Sequence, residues 1–152
     1  MRRDRVLPEA ALEEVAGATG FEAGIYARGL EGPLAGRSFG VGEVLVLPSA
    51  SLIKVLILAE LLRQADHGSL YLDEVLEVWP EDLVEDSEMV AREELPARMT
   101  LGRLAEGMIT QSDNAATNLL IRRVGMRRVN DLACDLGLRG TCLRREMMDV
   151  EA

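Results

Sequence analysis

Pro48-Ser49-Ala50-Ser51-Leu52-Ile53-Lys54-Val55-Leu56-Ile57-Leu58-Ala59 is the most apolar run in the chain, and how it is read decides the fold. It carries a hydroxyl, Ser51, and an amine, Lys54, three residues apart. Of the seventeen lysines and arginines in the sequence, Lys54 is the only lysine. Arginine keeps its proton at any ordinary pH, whereas a desolvated lysine can lose one and act as a base. Position 54 therefore reads as a place that needs a titratable amine. Pro48 and Ser49 are helix-start residues, with Ser49 the expected N-cap, and the apolar run after them predicts a buried helix. Ser51 then falls in the first turn, among backbone N–H groups at the positive end of the helix dipole, where a developing oxyanion is stabilised. Residues three apart share a helix face. The Lys54 amine is thus expected beside the Ser51 hydroxyl, with Ile53, Val55 and Ile57 lowering its pKa. A serine with an adjacent base is a covalent nucleophile. The same residues also fit an amphipathic core helix whose lysine snorkels to water, and this stretch alone leaves both readings open.

Composition narrows the classes. The chain has 152 residues, 48% hydrophobic and 28% charged, which suits one globular domain with a real core. A net charge of -9 and no basic stripe argue against nucleic acid; Arg122-Arg123 and Arg127-Arg128 read as the solvated face of a helix. No apolar stretch is long enough to span a membrane, because Lys54 and Glu60 interrupt the best one. Met1-Arg2-Arg3-Asp4-Arg5 is a charged start with no apolar segment after it, so no secretory signal is expected; the compartment stays open between the cytoplasm and a signal already removed. Cys134 and Cys142 are too few to staple a fold. Cys134 reads as a helical core residue, and no bridge to Cys142 is expected. His67 is the only histidine and sits in the turn Asp66-His67-Gly68-Ser69, read as surface. Histidine pairs and CxxC spacing are absent, so no metal site is expected. Gly40-Val41-Gly42 lacks the rest of a phosphate loop, and no cofactor is expected.

Along the chain, Pro8–Gly17 predicts a short amphipathic helix opened by proline. Phe21–Leu30 and Gly36–Leu47 are strand candidates joined through the Gly32-Pro33 turn, with a bend at Gly40–Gly42. Tyr71–Met99 is mixed and acidic, broken by Pro80 and Pro96; Glu81-Asp82 and Glu85-Asp86 read as a solvated acidic loop. Thr100 caps a helix over Leu101–Ile109, Thr110–Asn114 interrupts it, Ala115–Val124 resumes as helix to Gly125, and Val129–Leu136 forms another. Arg139–Ala152 carries little periodic signal.

Ser112-Asp113-Asn114 explains itself as a helix N-terminus, since all three residues are good caps. A connector between two apolar helices is also where polar side chains can be held rigidly over a cleft. Taken with Ser51-x-x-Lys54, it resembles the first two signature motifs of class A β-lactamases and related penicillin-recognising serine hydrolases. The separation of the motifs, their order, and the flanks Pro48–Lys54 and Met108–Leu120 are similar to that family, from about Ala23 onward. The resemblance implies an α+β fold, the three-layer β-lactamase-like architecture. Residues 1–47 would supply the N-terminal helix and β-hairpin, and residues 48–152 a mostly helical subdomain, of a single domain spanning 1–152.

The resemblance also implies an acyl-enzyme mechanism on a small-molecule or peptide substrate, a β-lactam, D-peptide or ester. Ser51 would attack the carbonyl, Lys54 would accept its proton, and Ser112 would pass a proton to the leaving nitrogen. Asn114 would bind the substrate's side-chain amide, Asp113 would fix the loop, and the Ser51 backbone N–H would form half the oxyanion hole. Two departures limit this expectation. No lysine follows Lys54, so the third motif, a Lys-Thr-Gly strand, is missing, and a lone hairpin lacks the other strands of the family's sheet. The expectation is therefore an incomplete domain of low activity, completed by a further segment or a second chain. In addition, Thr141–Asp149 resembles the start of the loop that carries the deacylating glutamate, yet Met147 takes that glutamate's place and Glu146 is one residue off. The competing expectations are a penicillin-binding, sensor-like domain that acylates without turnover, or an inert fragment.

Overall fold

The computed structural model describes residues 9–18 and 20–149. Met1–Arg5, Pro8 and residues 150–152 lie outside them. The chain divides into two compact units between Leu47 and Pro48.

In the first unit, α1 (Glu9–Ala18) is followed by two short strands. β1 (Ile25–Arg28) and β2 (Ser38–Val41) pair antiparallel, with Ile25 opposite Val41 and Arg28 opposite Ser38, and a 3₁₀ turn at Gly32–Leu34 lies between them. Both strands are shorter than the sequence predicts. β2 stops because Gly42 turns the chain at φ +62°, a conformation that glycine adopts without steric penalty. The bend expected inside the strand ends it instead, and Val44–Leu47 forms no strand. α1 packs against β2. Tyr26, Leu30, Val44 and Val46 are exposed, and no side chain described in this unit is buried.

The second unit holds the core. A 3₁₀ turn at Ala50–Leu52 leads into α2 (Ile53–Asp66). That extra turn corrects the expected cap. Ser49 has helical dihedrals and no capping bond, its hydroxyl turning to the Ala50 carbonyl at 3.4 Å, and the N-cap position of α2 falls to Leu52. α2 buries Ile53, Leu56, Ile57 and Leu61, spaced as one helix face. It also buries Lys54, Glu60 and Gln64. A buried carboxylate must be paired, and Glu60 accepts bonds of 2.7 Å from Arg63 Nε and 2.7 Å from Gln64 Nε2, while the Gln64 amide also reaches the Val124 carbonyl at 2.9 Å.

Between α2 and the next helix the sequence predicts no strand, but there are two. β3 (Val75–Val78) and β4 (Ala97–Thr100) pair antiparallel, Glu77 opposite Arg98. Four-residue strands joined by a long irregular segment leave no turn signature to read. Thr100 caps α3 (Leu101–Thr110) as expected, its hydroxyl accepting from Arg103 N at 3.1 Å. α4 (Asn114–Val124) is buried on almost every side, from Asn114 through Ile121, and is stopped by Gly125 at φ +89°. α5 (Met126–Asp135) buries Val129, Leu132 and Ala133. Cys134, one residue further round that helix, is exposed with a free thiol rather than in the core, and Cys142 is free as well. Leu61, Leu104 and Leu120 are fully enclosed, each contributing about 1.5–3 kcal/mol. No described helix is long and apolar enough to cross a membrane. The architecture is α+β, and in the second unit α2 packs against α4 and α5 while α3 packs against α4.

Candidate active site

The N-terminal end of α2 and the α3–α4 connector meet at Lys54. Lys54 is only 2% exposed. It donates to the Ser112 carbonyl at 2.5 Å, the Ser112 hydroxyl at 3.0 Å and Asn114 Oδ1 at 2.8 Å. The Ser112 hydroxyl in turn donates to Ser51 Oγ at 3.1 Å. Lys54 and Ser51 are therefore linked through Ser112. This refines the sequence expectation of an amine directly beside the nucleophile: the extra 3₁₀ turn replaces the α-helical spacing that argument assumed.

Three acceptors for three N–H bonds is the satisfied state of an ammonium ion. Burial nevertheless lowers the Lys54 pKa, and this outweighs the opposing pull of the Asp113 and Asp86 carboxylates. The desolvating surroundings differ from those expected, because Val55 points to solvent while Ile53, Leu56 and Ile57 are buried. A neutral amine would donate to two of the oxygens and accept from the third partner, the Ser112 hydroxyl. The same geometry thus serves either protonation state.

Asp113 holds the connector in place. It is fully buried. One carboxylate oxygen accepts from Met89 N at 2.8 Å and Val90 N at 3.1 Å, and the other caps α4 through Ala116 N at 2.8 Å. Asn114 continues the stitching: its backbone N–H reaches the Asp86 carbonyl at 3.1 Å and its Nδ2 the Glu85 carbonyl at 3.0 Å. Ala115 N donates to the Ser87 hydroxyl at 3.0 Å. Residues 85–90 are in this way bound edge-on to the start of α4. The acidic stretch is exposed at Glu81, Glu85 and Asp86, as expected, and it also forms one wall of a cleft of about 240 Å³ lined by Ser51, Asp86, Glu88, Gln111, Ser112 and Asn114.

Backbone strain concentrates at the same place. Four non-glycine residues among those described have positive φ: Ala50 at 45°, Asp86 at 56°, Ser112 at 55° and Met148 at 64°. Each such residue costs of order 1–2 kcal/mol. Three of the four are Ala50, which precedes the Ser51 hydroxyl, and two residues of the cleft wall.

Residues 141–149 are fixed by three side chains. Asn130 on α5 pairs with Leu143 through both backbone groups, at 2.9 and 2.7 Å. Asn118 on α4 pairs likewise with Met147, at 3.1 and 2.7 Å. Arg122 forks onto Glu146 at 2.8 and 2.7 Å and reaches Asp82 at 2.7 Å, which raises the guanidinium pKa further.

Of the five residues singled out by sequence, Ser51, Lys54, Ser112 and Asn114 lie in one hydrogen-bonded network, and Asp113, between Ser112 and Asn114 in the chain, bonds instead to Met89, Val90 and Ala116. Sequence reasoning missed Asp86, Glu88 and Gln111, and nothing local marks them: only the pairing of residues 85–90 with α4 brings them to the cleft. Asn118 and Asn130 were equally silent. His67 is exposed and donates to the Arg63 carbonyl at 2.6 Å. No group of three or more metal-ligating side chains occurs among the described residues.

A model described as the beta-lactamase enzyme family matches residues 7–152. Among solved structures, a beta-lactamase from Sphaerobacter thermophilus aligns at 29% identity with a TM-score of 0.81, covering 91% of this chain and 51% of that one. The class A beta-lactamase of the last common ancestor of Gram-negative bacteria aligns at 29% identity and a TM-score of 0.83, over 93% and 53%. The protein PBP-A aligns at 32% identity and 0.68, over 74% and 43%. The chain spans about half the length of the structures it matches.

Proposed function

Because the chain belongs to the beta-lactamase enzyme family, we propose that it carries the acylation half of a serine hydrolase site, with Ser51 as nucleophile. The observation that supports this best is the Ser51–Ser112–Lys54 chain, with links of 3.1 and 3.0 Å. Neutral Lys54 takes the Ser112 proton as Ser112 takes that of Ser51. Ser51 Oγ bonds to the carbonyl carbon of a β-lactam, D-peptide or ester. When the acyl carbon's bond to the leaving nitrogen, or in an ester the leaving oxygen, breaks, Ser112 returns a proton to that atom and Lys54 resupplies Ser112. Asn114 offers its second Nδ2 hydrogen to the substrate amide, and Asp113 keeps the connector from shifting. Proton relay of this kind contributes about 10²–10⁴-fold. A fluorescent penicillin should label the chain, and Ser51→Ala should abolish the label; undiminished labelling of that variant overturns the reading.

A second reading concerns turnover. The family-like position for a deacylating acid holds Met147, clamped by Asn118 through its backbone. The neighbouring Glu146 is engaged by Arg122. Both support a site that acylates once and releases slowly, as in a penicillin-binding sensor. Nitrocefin separates the two: a single burst fits the sensor, and sustained Ser51-dependent turnover fits the hydrolase.

A further inference from the structure

Gly107 stands in the interior of α3, where glycine weakens a helix relative to alanine. A helix accepts that loss where another group needs the space, and here one does. A Cβ on Gly107 would overlap Met89 Cε and touch Met89 Sδ and Cγ at 3.4 Å. Met89 belongs to the cleft-wall segment 85–90 and is only 3% exposed. Gly107 is buried as well, so in a close-packed interior the methyl has little room to move aside. The same two residues are joined a second way, through the connector. Met89 N donates to Asp113 Oδ2 at 2.8 Å, and Asp113 N donates to the Gly107 carbonyl at 3.2 Å. Met89, Asp113 and Gly107 thus close a ring that spans the wall, the connector and α3. Two of its links are hydrogen bonds, and the third is a side chain seated where another residue would have its own. The connector holds Ser112 at φ +55°, a conformation that the surroundings have to impose. From there the Ser112 hydroxyl reaches Ser51 at 3.1 Å and Lys54 at 3.0 Å.

We propose that the Met89 side chain in the Gly107 notch positions the proton relay: it sets how closely the wall and α3 approach, and so where Asp113 holds Ser112 against Ser51 and Lys54. This rests on the acylation reading and adds two positioning residues to it, neither of which lines the cleft. A side chain at 107 pushes Met89 back, draws its N–H from Asp113 and shifts the connector. Displacing a relay by on the order of 1 Å slows it about ten- to hundredfold.

The test is the acylation rate constant of the folded chain at saturating fluorescent penicillin. Gly107→Ala should lower it about ten- to hundredfold, although alanine is the better helix former. Adding Met89→Leu removes the terminal methyl at nearly constant volume and should bring the rate back to within about threefold of wild type. The pH at which the rate levels off should move in Gly107→Ala and return in the pair, because Lys54 spends its N–H bonds on Ser112 and Asn114. A chain that is merely less stable keeps the wild-type pH profile. Wild-type labelling by Gly107→Ala, or a slow rate that Met89→Leu does not rescue, overturns the proposal. If Gly107→Ala does not fold, Met89→Ala decides: it empties the notch and should slow labelling about tenfold, and a wild-type rate refutes the proposal. If the wild-type chain does not label at Ser51, it is the acylation reading that falls, and amide exchange then judges the notch by itself. The Met89, Val90 and Ala116 amides bonded to Asp113 should exchange about tenfold faster in Gly107→Ala and recover in the pair; unchanged exchange refutes it.

Discussion

Two connecting segments of the second unit are anchored with equal care and to opposite chemical effect. In Thr110–Asn114, anchoring gathers polar atoms around a buried amine: Asp113 accepts three backbone N–H bonds, and Ser112 and Asn114 converge on Lys54. In residues 141–149, Asn130, Asn118 and Arg122 hold Leu143, Met147 and Glu146 just as firmly. There Met147 is held through its backbone, and the adjacent acid, Glu146, is committed to Arg122. On the proposed reading, rigidity alone does not make a catalytic loop. What counts is whether the immobilised side chain has a proton to give or take.

The sharpest way to break this contrast is to disable the amine. Lys54→Arg keeps a cation but not one that can deprotonate, and Ser51 labelling should fall by about 10²–10⁴-fold; a label within tenfold of wild type means that the amine is not the base. Stability offers the next largest effect. Asp113→Ala strands buried N–H groups of Met89, Val90 and Ala116, and urea unfolding should register a loss of about 3–5 kcal/mol. A loss below 1 kcal/mol would show that the connector is held by something else. Met147→Glu tests the other segment: a carboxylate there should shorten the life of the Ser51 adduct by about tenfold or more, read by the decay of the fluorescent label. An unchanged lifetime places the missing function elsewhere.

A smaller effect concerns pH. Since burial holds the folded Lys54 pKa below its ordinary 10.5, the labelling rate should climb with pH and level off above the folded value, short of 10.5. The same shift works on stability. The buried ammonium opposes folding at low pH, and that penalty is relieved as pH rises from the folded pKa towards the unfolded one. A rate that keeps rising through 10.5 would mean no depression. Smallest of all, Arg122→Ala removes a half-exposed fork onto Glu146 and Asp82, and the stability change should stay within about 1 kcal/mol.

Much of this was legible before any coordinates. A lone lysine three residues after a serine marked α2, and Thr100, Gly125 and the run Ser112-Asp113-Asn114 marked helix ends where local chemistry sets them. Features that depend on remote pairing were not legible. The 3₁₀ turn that moves the start of α2 beyond Ser49 is energetically close to the α-turn it replaces. The β3–β4 pair joins segments too distant for turn signals. Asp86 looked like any other surface acid, because its role comes from bonds between residues 85–87 and α4. Cys134 misled through its apolar neighbours, Leu132 and Ala133, although one step of helical rotation separates a buried residue from an exposed one.

One measurement bears on the whole account: intact-mass and peptide mapping of the 152-residue chain through a pulse of penicillin, followed by removal of the free compound. The predicted result is one equivalent on Ser51, lost in Lys54→Arg and still present long after the chase. A chain that consumes penicillin steadily yet never accumulates mass, or that gains mass at any residue other than Ser51, would contradict it.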